Sequence, residues 1–496
     1  MSFPRAPVAA DRRRIVFVVP PVTAEDRYGP MASAGNSLPP HAFLYLGTVA
    51  RQAGWDVRIV DGPAESIPIE RCAEAILAHD PTVVGFTVTT MSVAKAAVVC
   101  ADVERQAPDV VRMVGGPHIT ALAEETLRRL PTFQLGCSGE GEQALLDVLT
   151  HLDAGTDPRT APAIVSVHDD GEVRLNPLHE EQVDLDALPT LGWDLIEDFP
   201  NRYHAAATYL NRTPFTDVIV SRGCRYRCTF CDNNTFGRDI RALPLDAIMD
   251  NLDRLVNQYG IKSLFFTDDS LMTLTDQFAE MCEELIKRDY DLEWSINART
   301  SEVNPEVLAL MRRAKCWQIS YGVESGSWEI LKRIKKSATP AMQARALEQT
   351  RDAGIKANAY IIIGFPGETK QTLAETEAFI RRVPIDTLRL TYFTPFPNTD
   401  ITGDLGDHGE IVADWTKLNF YNIAYIPNGL TQKDLERTYR RIMASFYLRP
   451  RVFASFLPHL IVPRKAWALA RGTFGLGKLL AQGTDKTTSA DVHCSS

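Results

Sequence analysis

Long hydrophobic runs are missing from this chain: no stretch approaches the roughly 18 apolar residues that a membrane-crossing helix needs. Arg12, Arg13 and Arg14 stand near its beginning, but the apolar run Ile15–Pro20 behind them is short and stopped by proline, so no signal peptide is expected. A cationic excess is missing too. The 53 Lys and Arg against 63 Asp and Glu give a net charge of −10, which argues against general affinity for nucleic acid. Cysteine is sparse and odd in number, 9 in 496 residues, a pattern of the reducing cytoplasm rather than of a disulfide scaffold. Repeats are absent, and the one low-complexity block is the polar tail 484–496, expected to be disordered. What is present is an ordinary globular composition, 45% hydrophobic and 23% charged, in a chain long enough for about two or three domains.

Residues 1–150 alternate short β-rich runs with amphipathic helical stretches. Strands are predicted at Ile15–Val19, Val57–Val60, Val83–Val88 and Val110–Val114, and helices at Ala42–Gln52, Glu70–Ala78, Ala94–Arg105 and Leu122–Leu130. Such alternation implies a parallel, doubly wound sheet, whose ligands lie beyond the carboxyl ends of its strands. Thr87, Thr89 and Thr90 after the third strand, and the turn Gly115-Gly116-Pro117-His118 after the fourth, fall at such ends.

The densest chemical signal is Cys224-Arg-Tyr-Arg-Cys228-Thr-Phe-Cys231. A fully protein-ligated [4Fe–4S] cluster takes four cysteines, so three leave one iron open, and an open position marks a reactive metal site. Structural zinc is disfavoured because no fourth Cys or paired His lies nearby at ligand spacing.

This triad resembles the signature of the radical S-adenosylmethionine (SAM) enzymes. The resemblance implies that Cys224, Cys228 and Cys231 hold a [4Fe–4S] cluster whose open iron chelates SAM and cleaves it to a 5′-deoxyadenosyl radical. It also implies that Phe230, before the last Cys, lies against the adenine. With that triad behind it, the stretch from Pro39-Pro40 through Gly115-Gly116-Pro117-His118 to Gly139-Glu140-Gly141-Glu142 resembles the cobalamin-binding domain of the cobalamin-dependent branch of this family. Thr87, Thr89, Thr90, Gly115, Gly116, Pro117, His118, Gly139 and Glu140 are the residues implied to surround the corrin. The cobalt-ligating D-x-H-x-x-G motif of cobalamin mutases and methionine synthase is absent, and His118 reads better as a partly buried strand-end histidine.

Residues 151–212 read as a linker with a small hairpin around Asp169-Asp170-Gly171, and Trp193-Asp194 resembles a segment that leads into the barrel of many family members. The β/α alternation restarts over 213–400. Strands are predicted at Val218–Ser221, Ser263–Thr267, Trp294–Ala298, Gln318–Val323, Ala357–Ile363 and Thr387–Phe393, too few for a closed eight-fold barrel. The resemblance implies an open (β/α)6 barrel, with Asp268, Arg299, Glu324 and Ser325 at strand ends lining the SAM pocket. Gly364-Phe365-Pro366-Gly367 reads as a turn. Residues 401–483 are expected to be mainly helical, including Thr431–Phe446. Between Arg437 and Thr484 every charged residue is Lys or Arg, which suits a cap over the site or a surface for an anionic or lipid-like substrate.

The expected fold class is therefore α/β: a Rossmann-like cobalamin-binding domain, a partial radical SAM barrel and a mainly helical C-terminal region. The implied activity is methyl transfer from SAM, through methylcobalamin, to an unactivated carbon of a small molecule. A low-potential donor such as flavodoxin or ferredoxin would supply electrons. The competing expectation is a cyclase or rearrangement enzyme resembling the anaerobic Mg-protoporphyrin ester oxidative cyclase, which uses the same motifs. A methylthiotransferase is rejected because Cys72, Cys100 and Cys137 are too widely spaced for a second cluster. Spacing assigns no catalytic acid, base or nucleophile.

Overall fold

A computed structural model describes residues 3, 6–206, 208, 209, 211–411, 414–450 and 452. The N-terminal strands are β1 (Arg14–Val19), β2 (Asp56–Asp61), β3 (Val83–Thr87), β4 (Val111–Gly115), β5 (Leu135–Cys137), β6 (Ile164–Val167) and β7 (Val173–Leu175). They form one sheet in the order β2-β1-β3-β4-β5-β6-β7, parallel through β5 and antiparallel beyond it. The strand order reverses between β1 and β3, so the crevice at their carboxyl ends is where such a sheet binds ligands. Apolar side chains fill both faces: Val16, Val18, Val84 and Phe86 face one core, Ile15, Phe17, Val83 and Val111 the other. A sheet buried on both faces reads as continuous Val/Ile runs.

The expected helix at Leu122–Leu130 begins earlier, at Pro117, and runs to Arg129 with a kink at Leu122. Proline suits the first helical position because that amide has no helical partner anyway, so Gly116-Pro117 starts a helix rather than an open turn. Gly116 sits at φ +104, and a Cβ there would lie 2.8 Å from the Val88 carbonyl oxygen. Glycine is required at that close approach.

Two cis peptide bonds, Phe199-Pro200 and Thr213-Pro214, mark the connecting segment. Trp193 is fully buried there, stacked on Phe199 and donating from Nε1 to Asn251 Oδ1 at 2.8 Å. Then come β8 (Phe215–Val218), β9 (Ser221–Arg222), β10 (Arg241–Ala242), β11 (Ser263–Phe266), β12 (Glu293–Ala298), β13 (Cys316–Glu324), β14 (Lys356–Ile363) and β15 (Thr387–Tyr392). The second sheet is an open parallel array in the order β15-β14-β13-β12-β11-β8, with β9 and β10 paired separately. Residues alternate across it as strand geometry requires. Ala357, Ala359, Ile361 and Ile363 of β14 pack outward on the helices, and Asn358 and Tyr360 face the barrel interior.

The expected strand Val218–Ser221 is displaced: β8 occupies Phe215–Val218, and Ser221 belongs to β9. The chain leaves the sheet after Val218 because the amides of Val220 and Ser221 donate to the Asp268 carboxylate instead of a neighbouring strand. Beyond the barrel, β16 (Gly409–Ile411) and β17 (Tyr425–Pro427) form a short antiparallel ribbon. The helix Gln432–Tyr447 is opened by a Thr431–Asp434 capping box. The disordered-tail expectation and most of the basic stretch after Arg449 fall outside the described residues.

Candidate active site

The cysteine loop follows β9. Gly223, at φ +89, would place a Cβ 2.1 Å from the Asp239 carbonyl oxygen, so the loop closes against the 237–239 turn only with glycine at that position. Among the described residues no three of His, Cys, Asp and Glu converge on one point as ligands of a single ion. A cubane would ask each cysteine sulfur for its own iron rather than for a shared ion. Arg299 Nη1 lies 3.3 Å from Cys228 Sγ, a cationic donor aimed at a sulfur that would carry negative charge on iron. The same guanidinium covers the Tyr226 ring, 3.7 Å from its centroid, and donates through Nη2 to the Lys336 carbonyl. Lys336 in turn pairs with Glu324 at 2.7 Å, both groups nearly fully buried (5% and 6% exposed). Gly322 makes room for this pair, since a Cβ there would meet Glu324 Oε1 at 2.5 Å and Lys336 Nζ at 2.8 Å.

Arg299 and Glu324 thus stand together beside the cysteine loop, Glu324 in the left-handed region at φ +65. Phe230 packs edge-on to Phe365, centroids 5.3 Å apart. Asp268 is buried and its Oδ1 is consumed by Val220, Ser221 and the Ser221 hydroxyl, while Oδ2 has no hydrogen-bond partner. Burial raises its carboxyl to about 6 in spite of those donors. Ser325 is committed to the fold: its hydroxyl pairs with Thr376 at 3.0 Å and accepts from the Ser327 amide.

On the other side, a cavity of about 1410 Å³ opens at the carboxyl ends of β1, β3 and β4 and reaches into the barrel. It exceeds the roughly 300–1,000 Å³ of common small-ligand pockets. Thr87, Thr89, Thr90, Gly115, Gly116, Pro117, Gly139 and Glu140 all line it. Gly139 has nothing within 4 Å of a would-be Cβ, so its backbone is free to lie against a bulky planar group. From the barrel side Asp269, Asn297, Tyr360 and Arg389 border the same space. The strand-end wall therefore fits a corrin, whereas the three cluster cysteines and Phe230, Asp268, Arg299, Glu324 and Ser325 are not among the residues that line this cavity.

His118 is the exception. It is 1% exposed, with Nδ1 and Nε2 each 3.1 Å from a threonine hydroxyl, Thr90 and Thr126, and its ring abuts Trp415. It is not among the residues that line the cavity, and it differs from a partly buried strand-end histidine as well, being fully buried in the helix Pro117–Arg129. Burial lowers its pKa to about 4. Glu140 borders the cavity but is held by protein: Oε1 accepts from Arg222 and Arg241 and Oε2 from the Val183 amide. Burial alone would raise its carboxyl, but these donors outweigh burial and keep it below the ordinary carboxylate range.

Sequence reasoning missed Lys336, Arg222 and Arg389. Arg222 lies between the rings of Tyr45 and Phe236 and pairs with Glu140 (2.9 Å) and Glu142 (2.5 Å), tying the N-terminal sheet to the start of the cysteine loop. None carries a motif, and their partners lie from 12 residues away, for Lys336 and Glu324, to 82, for Arg222 and Glu140.

Comparison with known proteins agrees with this geometry. Residues 218–380 match the radical SAM superfamily and residues 29–149 the B12 binding domain. An anaerobic magnesium-protoporphyrin IX monomethyl ester cyclase of Rubrivivax gelatinosus is 30% identical over 428 residues, 85% of this chain and 75% of that protein. An uncharacterized methyltransferase of Pyrococcus horikoshii is 28% identical over 441 residues, 88% of this chain and 93% of that one. The fold is shared with the radical SAM methyltransferase TsrM of Kitasatospora setae, solved with cobalamin and a [4Fe–4S] cluster. Its TM-score is 0.72 at 17% identity, covering 94% of this chain and 99% of TsrM. With both domains matched in order and a relative similar across most of its length, the chain belongs to the cobalamin-dependent radical SAM enzymes, whose cofactors are a [4Fe–4S] cluster, SAM and cobalamin.

Proposed function

We propose that this enzyme is a C-methyltransferase that moves a methyl group from SAM to an unactivated carbon of a small molecule, working in the reducing cytoplasm with a flavodoxin- or ferredoxin-like electron donor. The observation that carries the reading is the single cavity bordered by both the B12-binding strand ends and the barrel interior. When bound, the cofactors supply a methyl carrier and one-electron cleavage of SAM. Cys224, Cys228 and Cys231 hold the cluster. Arg299 donates to the Cys228 sulfur and, through Lys336, is braced by the buried Glu324 pair. Such donors around a metal-bound thiolate set its charge and orientation. Asp268 fixes the approach to the cysteine loop, and its free Oδ2 is left to accept from SAM. Aromatic and apolar walls, including Phe265, Phe396 and Phe420, keep water from the reacting centre.

A second reading, ring closure of a tetrapyrrole-like substrate, is favoured by the likeness to the Rubrivivax cyclase. The Pyrococcus relative and a hopanoid C-2 methylase of Rhodopseudomonas palustris, 25% identical over 81% of this chain, support methyl transfer. Anaerobic turnover of the reconstituted enzyme with SAM, a low-potential reductant and candidate substrates separates the two. Methyl transfer yields S-adenosylhomocysteine and 5′-deoxyadenosine in near-equal amounts. Deoxyadenosine without S-adenosylhomocysteine would sink it in favour of cyclisation.

A further inference from the structure

The barrel interior beside the cavity carries a cluster of neutral polar side chains next to one cation, Arg389. Asn358 Nδ2 donates to Ser320 Oγ at 3.1 Å, and the Tyr360 hydroxyl donates to Asn297 Oδ1 at 3.2 Å and shares a short bond with Tyr209. Tyr209 is itself stacked on Phe265, centroids 4.7 Å apart. These bonds fix the Tyr360 ring, which lies 5.9 Å from the guanidinium carbon of Arg389. Arg389 projects inward from β15 between Leu388 and Leu390, which pack outward into the core.

The polar neighbours of Arg389 are uncharged phenols: Tyr421, to which it hydrogen-bonds, Tyr209 and Tyr360. Among the described residues no carboxylate pairs with it. Of the carboxylates on the cavity wall, Glu140 and Glu142 are taken by Arg222, Asp61 by Tyr203 and Asp232 by Asn234, and Asp269 borders the cavity without an ion pair to Arg389. A guanidinium withdrawn from bulk water and left without a counter-charge is costly, and its planar fork matches a carboxylate or phosphate in two parallel hydrogen bonds. The neighbouring walls of the cavity, Phe396 and Phe420, are apolar.

We infer that Arg389 anchors an anionic group, carboxylate or phosphate, of the small molecule that reacts in this cavity, leaving its apolar body against Phe396 and Phe420. The inference rests on the reading of the cavity as the reaction chamber. It places the acceptor among organic acids or phosphate esters and is independent of whether methylation or cyclisation follows.

The test is calorimetric titration of the holoenzyme, loaded with cluster and cobalamin, with benzoate, phenyl phosphate and the neutral benzamide. The wild type is expected to bind one anion about 10- to 100-fold more tightly than benzamide, the span of one charge-assisted pair. The preferred anion distinguishes carboxylate from phosphate. Arg389→Gln is expected to erase the preference with cobalamin and iron contents unchanged, and Arg389→Lys to retain part of it. Equal binding of anions and benzamide by the wild type would overturn the assignment. So would an Arg389→Gln enzyme that keeps the preference, or one that loses cobalamin. The readout does not use the product ratio, so failure of methyl transfer and failure of the anion site are separately visible.

Discussion

Arg299 touches the Cys228 sulfur, the Tyr226 ring and the Lys336 carbonyl at once, so a change there acts on the cluster's surroundings without removing a ligand. Arg299→Met is expected to keep iron incorporation and lower SAM cleavage about 10- to 100-fold, the range for partners of metal ligands. Deoxyadenosine formation per cluster measures it. Cys228→Ala is expected to abolish both cluster absorbance and SAM cleavage. Glu324→Gln leaves the Lys336 ammonium buried without its counter-charge, and a loss of about 3–5 kcal/mol in urea unfolding is expected. His118 gives a pH signature. It titrates near 4 folded against an ordinary value of 6.5, so below 6.5 the unfolded chain takes a proton that the folded chain refuses. Stability should therefore fall as pH drops from 6.5 toward 4, and His118→Asn should flatten that part of the urea-midpoint curve relative to wild type. The cysteines were legible because ligand spacing within one loop is local. Lys336 was not, because Ile334-Lys335-Lys336 reads as a solvated run until β13 is folded beside it.

At the scale of elements, the link between the two sheets runs through β9. Arg222, two residues before Cys224, is clamped by Glu140 and Glu142 from the turn that opens the helix Gly141–Ala154. Arg222→Met strands two buried carboxylates, only one of which keeps Arg241. The expected result is a loss of about 3–5 kcal/mol by denaturant unfolding, with weakened SAM cleavage because the start of the cysteine loop is released. Retained stability and retained cleavage would remove this clamp from the account. Strands β1–β4 and β11–β15 were readable from Val/Ile runs and period-2 alternation, whereas β5, three residues long, was not. The displaced β8 was not, because Val218–Ser221 is as apolar as a strand. Its departure from the sheet is set by Asp268, which lies 48 residues on from Val220. Glu140 and Gly139 were implied as cofactor contacts by the resemblance to the cobalamin-binding domain. The structure keeps both at the cavity wall but gives the Glu140 oxygens to arginines.

For the whole molecule, two α/β regions followed from alternation, and their identity and the open barrel from the family resemblance that the cysteine triad carries, whereas the shared cavity could not, since it exists only once β1, β3 and β4 face the barrel mouth. That shared cavity is the central claim, and titration of the apoprotein with hydroxocobalamin, followed by gel filtration, tests it most directly. Wild type should retain cobalamin stoichiometrically. Gly139→Trp, whose side chain enters the open space beside Gly139, should lose it while reconstituting iron normally, and Gly139→Ala, which bears the same backbone strain at φ +84 without the bulk, should keep it. A wild-type protein that retains no cobalamin, or a Gly139→Trp protein that retains all of it, would contradict the account.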